Sequence, residues 1–236
     1  MSSIQIFNKE TLSKIEEQIK DVRINLHKDR TEFWKRNKKD FEENIKFLVN
    51  KATTPRDWKI YTIASHFVTD EEIMPYGYDS WSCVLLIAAT KKQGQELLLF
   101  YNEARIGFLS LPALLPLVTH ELLHTHQAAA SPKKYSSSAF NDSYGSALET
   151  EVESGIHDLP KIFLQEAVLE SVLYCYDKKG WNSAQKMIDF LYKDRIKLYT
   201  GGYLPWLTQT DHEAFSEAKR QKNISVFINY YFNLPQ

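Results

Sequence analysis

Apolar residues recur every three or four positions through the first fifty residues: Leu12, Ile15, Ile19, Val22 and Leu26, then Phe33, Trp34, Phe41, Ile45, Phe47 and Leu48. That period places them on one face of a helix, so residues 8–50 predict a helical hairpin or one long bent helix. Asn8, Glu10 and Thr11 supply capping chemistry at its start. The pattern then changes. Residues 58–67, 83–90 and 96–103 are rich in aromatic and aliphatic side chains, and they predict three or four strands between about 57 and 108. Residues 91–95, with one glycine, suit a hairpin loop between the last two.

Helical spacing returns after residue 111. Proline fits the first turn of a helix better than its interior, so the next helix is predicted to begin near Pro116 and to run to about 130. A Ser-Pro and serine-rich loop follows, then helices at roughly 145–155, 160–178, 182–198 and 211–231. No internal repeat is visible. The expected fold class is α+β. A helical segment over 1–55 precedes a unit over 56–236, in which a small, mainly antiparallel sheet leads into a helical half.

Composition narrows the function classes. Of 236 residues, 43% are hydrophobic, which is enough for a real core. The 29 Lys and Arg balance 30 Asp and Glu, so no global charge directs the chain to nucleic acid or to an anionic membrane. The run Lys35-Arg36-Asn37-Lys38-Lys39 reads as a solvated helix face. Two cysteines, Cys83 and Cys175, are too few for a cysteine-rich zinc site or a disulfide framework, and they suit a reducing compartment. The N-terminus lacks the pattern of a signal peptide, and the most apolar run, 106–118, is shorter than the roughly twenty residues a bilayer span needs. The expectation is a soluble, cytoplasmic protein with no membrane or nucleic-acid partner, its oligomeric state left open.

One motif carries chemistry. His120-Glu121-Leu122-Leu123-His124 is the HExxH pattern. On a helix, two imidazoles four positions apart share a face and can hold one zinc ion. Glu121 then stands beside the cation, placed to take a proton from the attacking water. The pattern is short, so its context matters. Here the neighbours Leu115, Leu117, Val118, Leu122 and Leu123 are apolar, and polar residues in such a helix are costly unless something pairs with them.

Catalytic zinc usually keeps three protein ligands. Two acidic clusters compete for the third place. Glu166 falls within the stripe Ile162, Leu169, Leu173 and Tyr176, and a carboxylate aimed at a core needs a cation. Glu149 and Glu153 lie in a charged stretch without such a stripe and are the alternative. Glu170, one turn beyond Glu166, suits a hydrogen bond to the second nitrogen of a ligand imidazole. His126 points to a different helix face, and His157 and His212 stand alone; none is expected to be a ligand. Tyr203, after a Gly-Gly turn, is a candidate catalytic phenol for a developing oxyanion.

The pairing of Val118-Thr119-His120-Glu121-Leu122-Leu123-His124 with Phe163-Leu164-Gln165-Glu166-Ala167-Val168-Leu169-Glu170 resembles the gluzincin peptidases. More narrowly it is similar to predicted zinc-dependent proteases in which HExxH is followed, about forty residues later, by Glu-Gly-x-Ala-Asp/Glu. Ala167 stands where that pattern has Gly, and Leu169 where it has Ala. The resemblance covers residues 110–176. It implies a zinc metalloprotease that hydrolyses a peptide or protein substrate. It also implies metal-binding by His120, His124 and Glu166, Glu121 as general base, and Glu170 as the acid four positions on. It further implies a sheet edge beside the cleft, at 83–90 or 96–103, with which an extended peptide can pair.

Two other readings stay open. HExxH proteins also resemble iron-dependent, peptide-modifying oxygenases, in which His157 would gain interest. A non-catalytic helical binding protein, working through its basic N-terminal helices, would carry the motif as a decayed site.

Overall fold

The computed structural model describes residues 5–53, 61–68, 84–91, 94–102, 106–130, 159–194 and 207–234. The N-terminal stretch is a hairpin rather than one bent helix. Helix α1 (Lys9–Lys28) starts where the Asn8 side chain accepts the Thr11 N–H at 2.8 Å. A single turn, α2 (Arg30–Phe33), follows Asp29, whose side chain accepts from the Glu32 N–H. Asn37 then caps α3 (Lys38–Lys51) by accepting the Asp40 N–H at 3.0 Å. Most of the predicted stripe forms the buried face, with Ile15, Ile19 and Leu26 on α1 and Phe41, Ile45 and Leu48 on α3, but Phe47 is exposed.

Three strands follow: β1 (Tyr61–Val68), β2 (Val84–Lys91) and β3 (Gly94–Asn102). Their order is β1-β3-β2. β2 and β3 are antiparallel, with Val84 opposite Tyr101, whereas β1 runs parallel to β3, with Tyr61 opposite Gln95.

The expected α+β fold with a mainly antiparallel sheet is therefore corrected. Helix dominates the described residues, and the strands are a minor element in which one of the two pairings is parallel. Alternation of side chains reads the same in both strand senses, so the pattern carried no information on how 61–68 would pair.

The next helix, α4 (Leu111–Ala130), begins five residues earlier than the proline rule suggests, and Pro116 lies inside it. The Ser110 carbonyl accepts the Leu114 N–H at 2.8 Å, which closes the first turn. An interior proline loses one helical hydrogen bond and crowds the carbonyl four residues back. Burial outweighs that cost here. Ala113, Leu114, Leu115, Val118 and Leu122 are fully enclosed on different sides of the helix. The helix over Lys161–Lys179, helices α3 and α1 and strand β2 all pack against α4, which makes it the central element of the described residues.

Helix α5 (Lys161–Lys179) ends at Gly180, whose φ of 72° is a left-handed value that glycine adopts without strain. Helix α6 (Trp181–Asp189) runs on into a π-helical turn, Phe190–Asp194. The single helix predicted over 211–231 is two. A capping box of Thr208 and Asp211 starts α7 (Gln209–Gln221), which stops at Lys222 with φ 53°, and α8 (Ser225–Phe232) follows. No helix among the described residues is long and apolar enough to cross a membrane.

Candidate metal centre

The HExxH residues lie on α4. His120 is 7% exposed and Glu121 8% exposed, in a helix whose other described members are almost all apolar. The His120 Nε2 atom is 4.0 Å from a Glu121 carboxylate oxygen. Thr119 makes a third buried polar residue in a row, and its hydroxyl donates to the Leu115 carbonyl at 2.7 Å. Burying a polar side chain without a partner costs about 2 kcal/mol or more. A run of such residues on the central helix is thus sustained by bonding of some kind. His124 stands one helical turn after His120 on the same helix, and its side chain lies outside the described residues.

Helix α5, packed on α4, contributes two carboxylates, Glu166 and Glu170, both wholly buried. They are held differently. Glu166 accepts a hydrogen bond on Oε1 from the Nε–H of Arg23, itself buried on α1. Its second oxygen, Oε2, is buried and has no hydrogen-bond partner among the described residues. Burial pushes the Glu166 carboxyl up to about 7, against the downward pull of the Arg23 charge.

Glu170 is pushed up to about 8, again chiefly by burial and against the pull of Arg36 and Ser110. Glu170 was expected to steady a ligand imidazole. In the structure both of its oxygens instead accept from Ser110, one from the backbone N–H at 2.6 Å and the other from the hydroxyl. Ser110 immediately precedes α4, so Glu170 pins the start of the HExxH helix to α5.

Two residues of this region escaped the sequence reading, Arg23 and Ser110. Arg23 follows Ile19 by four positions and so lies on the buried stripe of α1. The phase argument that singled out Glu166 applies to it equally. Ser110 is a good helix-capping residue six positions before Pro116.

The other sequence candidates contribute less. Glu149, Glu153, His157 and Tyr203 lie outside the described residues. His126 is on α4, and its side chain also lies outside them. His212 is on α7, with its ring 5.1 Å from that of Tyr192. Among the described residues no group of three or more His, Cys, Asp or Glu side chains is placed to hold a metal ion, and the His124 side chain is not among those residues. The donor set His120, His124 and Glu166 has the chemistry of a catalytic zinc site. The buried Oε2 of Glu166, without a hydrogen-bond partner among the described residues, has a lone pair that a cation could take up.

No protein-family model matches this chain, and no curated protein and no solved structure matches it either.

Proposed function

We propose that this protein is a zinc-dependent hydrolase of the HExxH class that cleaves peptide bonds, with His120, His124 and Glu166 as metal ligands. The observation that carries the proposal is the burial of His120 and Glu121 within an apolar helix, at the spacing that two-histidine metal binding uses. The Glu166 oxygen on the adjoining helix, which has no hydrogen-bond partner among the described residues, supports it. The gluzincin-like pairing of the two sequence segments points the same way.

His120, His124 and Glu166 would hold the zinc ion, which would supply Lewis acidity toward the scissile carbonyl and the attacking water. The chain's own part is proton handling and orientation. Glu121 accepts the proton of the attacking water on its carboxylate and passes it to the leaving amine. Its surroundings exclude bulk water, which strengthens each electrostatic contact. Ser110 and Glu170 join the beginning of α4, the helix that carries His120 and Glu121, to α5. A cytoplasmic setting belongs to the same reading. Cys175 is a free, buried thiol whose pKa burial pushes up to about 11, so it is unreactive at neutral pH.

The test is a pair of substitutions assayed on a mixed peptide library. Glu121→Gln is expected to keep stoichiometric zinc and to lose about 100-fold or more in turnover. His120→Ala is expected to lose both zinc and turnover. A Glu121→Gln protein as active as the parent removes the base assignment. A parent protein that stays metal-free after dialysis against zinc removes the class.

A further inference from the structure

Arg23 is the one charged residue on the buried face of α1, and it is 6% exposed. Its Nε–H donates to Glu166 Oε1, 143 residues away in sequence. Its Nη1 donates to the Tyr231 carbonyl on α8 at 3.3 Å, and its guanidinium carbon lies 5.5 Å from the centre of the Phe232 ring. Its Nη2 has no hydrogen-bond partner among the described residues.

The form of this ion pair is informative. Arginine and carboxylate favour a two-point, fork-to-fork pairing, which uses both oxygens. Arg30 and Asp177 adopt it here, with Nε–H and an Nη2–H donating to the two carboxylate oxygens at 2.7 and 3.0 Å. Arg23 and Glu166 do not. One oxygen is engaged through Nε and the other has no hydrogen-bond partner among the described residues. A buried pair kept only for stability is commonly replaceable by apolar residues at no loss, and leaving one oxygen unmet makes it poorer still.

We infer that Arg23 is a positioning residue for the metal centre: it holds Glu166 by Oε1 and thereby presents Oε2 to a divalent cation. This rests on the reading of Glu166 as the third ligand. It also assigns a purpose to the N-terminal helices. On this inference α1 is a wall of the site, because its guanidinium sets the rotamer of a ligand carried on α5. In the opposite arrangement Arg23 and the cation would compete for the Glu166 charge, and removing Arg23 would then tighten zinc binding.

The experiment measures zinc affinity by competition with a chromophoric chelator, and the visible absorption of the cobalt-substituted protein. The full-length parent is compared with Arg23→Ala, Arg23→Gln, Arg23→Lys, Glu166→Gln and His120→Ala, each checked for fold by far-ultraviolet circular dichroism. Arg23→Ala and Arg23→Gln are expected to weaken zinc binding about 10- to 100-fold and to alter the cobalt bands. Arg23→Lys is expected to recover part of the affinity. Should Arg23→Ala fail to fold, the Gln and Lys variants decide.

Arg23 variants that melt lower but keep parental zinc affinity and cobalt bands would make the pair purely structural and overturn the inference. Tighter zinc binding on removal of Arg23 would overturn it too, in favour of competition. Loss of zinc in His120→Ala but not in Glu166→Gln would move the third ligand elsewhere, ending this inference and sparing the metal centre. A parent without zinc affinity would end both.

Discussion

Two carboxylates one helical turn apart on α5 meet opposite treatment. At the Glu170 end of the contact with α4, both oxygens are taken up by Ser110, and the result is a closed joint between two helices. At the Glu166 end, one oxygen meets a guanidinium and the other meets nothing among the described residues. Both sites carry the full cost of burying a carboxyl group, yet only at Glu170 are both oxygens engaged by described residues. Equal burial with unequal satisfaction is the difference that the proposed ligand role of Glu166 would account for.

The sharpest way to break this contrast is to change each carboxylate to its amide and measure zinc. Glu166→Gln removes a charged donor from the proposed ligand set and is expected to weaken zinc binding more than about 100-fold, beyond the loss typical of an outer partner. Glu170→Gln keeps an acceptor for Ser110 and is expected to change zinc affinity by less than about threefold, since its carboxyl serves the α4–α5 joint. Equal losses in the two variants, by chelator competition, would erase the distinction.

The second test exchanges ligand affinity for stability. Glu170→Ala leaves the Ser110 N–H and hydroxyl buried without their acceptor and opens a small cavity. The expected loss is about 3 kcal/mol, read by urea denaturation at pH 5, where the parental carboxyl is neutral. An unchanged midpoint would mean that Ser110 finds another acceptor at no cost.

Acidity supplies a third. Both carboxyls are raised from 4.5, to about 7 and about 8, principally by burial. A carboxyl whose folded-state pKa lies above its unfolded one binds its proton more tightly when folded. The stability it confers is complete below the unfolded value and drains away as pH rises through the folded one. Chelator-treated protein should therefore unfold more easily at pH 8.5 than at pH 5.5. Glu170→Gln, which cannot ionise, should flatten the upper part of that decline. Added zinc should restore stability at the alkaline end, because a bound cation favours the ionised form of Glu166. A treated protein that grows more stable between pH 5.5 and 8.5 would contradict the burial-driven shifts.

The contrast also shows which parts of the molecule were legible beforehand. HExxH is five consecutive residues on one helix, so spacing alone places His120 and Glu121 beside each other. Glu166 was legible by phase, since a charge within the Ile162–Leu169–Leu173 stripe has nowhere to go but inward. Arg23 obeys the same phase on α1. A long basic side chain at a stripe position ordinarily snorkels to solvent, and only the three-dimensional partner Glu166 shows that this one does not.

The sense of the β1–β3 pairing was illegible for the reason already given: the same alternation serves parallel and antiparallel ladders. The break between α7 and α8 falls at Lys222, a residue type that carries no signal for a left-handed conformation. Misplacing the start of α4 had the widest consequence. A helix beginning at Pro116 leaves Ser110 six residues outside it, whereas in the structure Ser110 immediately precedes α4 and binds Glu170.

That displaced start can be tested on its own, and it gives the smallest effect. Ser110 binds Glu170 through its hydroxyl, and the same Oγ is 3.4 Å from the Ala113 N–H, a long contact of the capping kind. Ser110→Ala removes both of these yet keeps the backbone N–H that bonds to Glu170 at 2.6 Å. Half of the joint survives, so the expected loss is about 1 kcal/mol, the usual worth of a helix cap, with zinc affinity near parental. Ser110→Thr keeps the hydroxyl and should lose less. If Ser110→Ala instead weakened zinc as much as Glu166→Gln does, the Glu170 end would no longer be a closed structural joint. The start of α4 and the ligand end of α5 would then act as one unit, and the two carboxylates would differ in geometry but not in role.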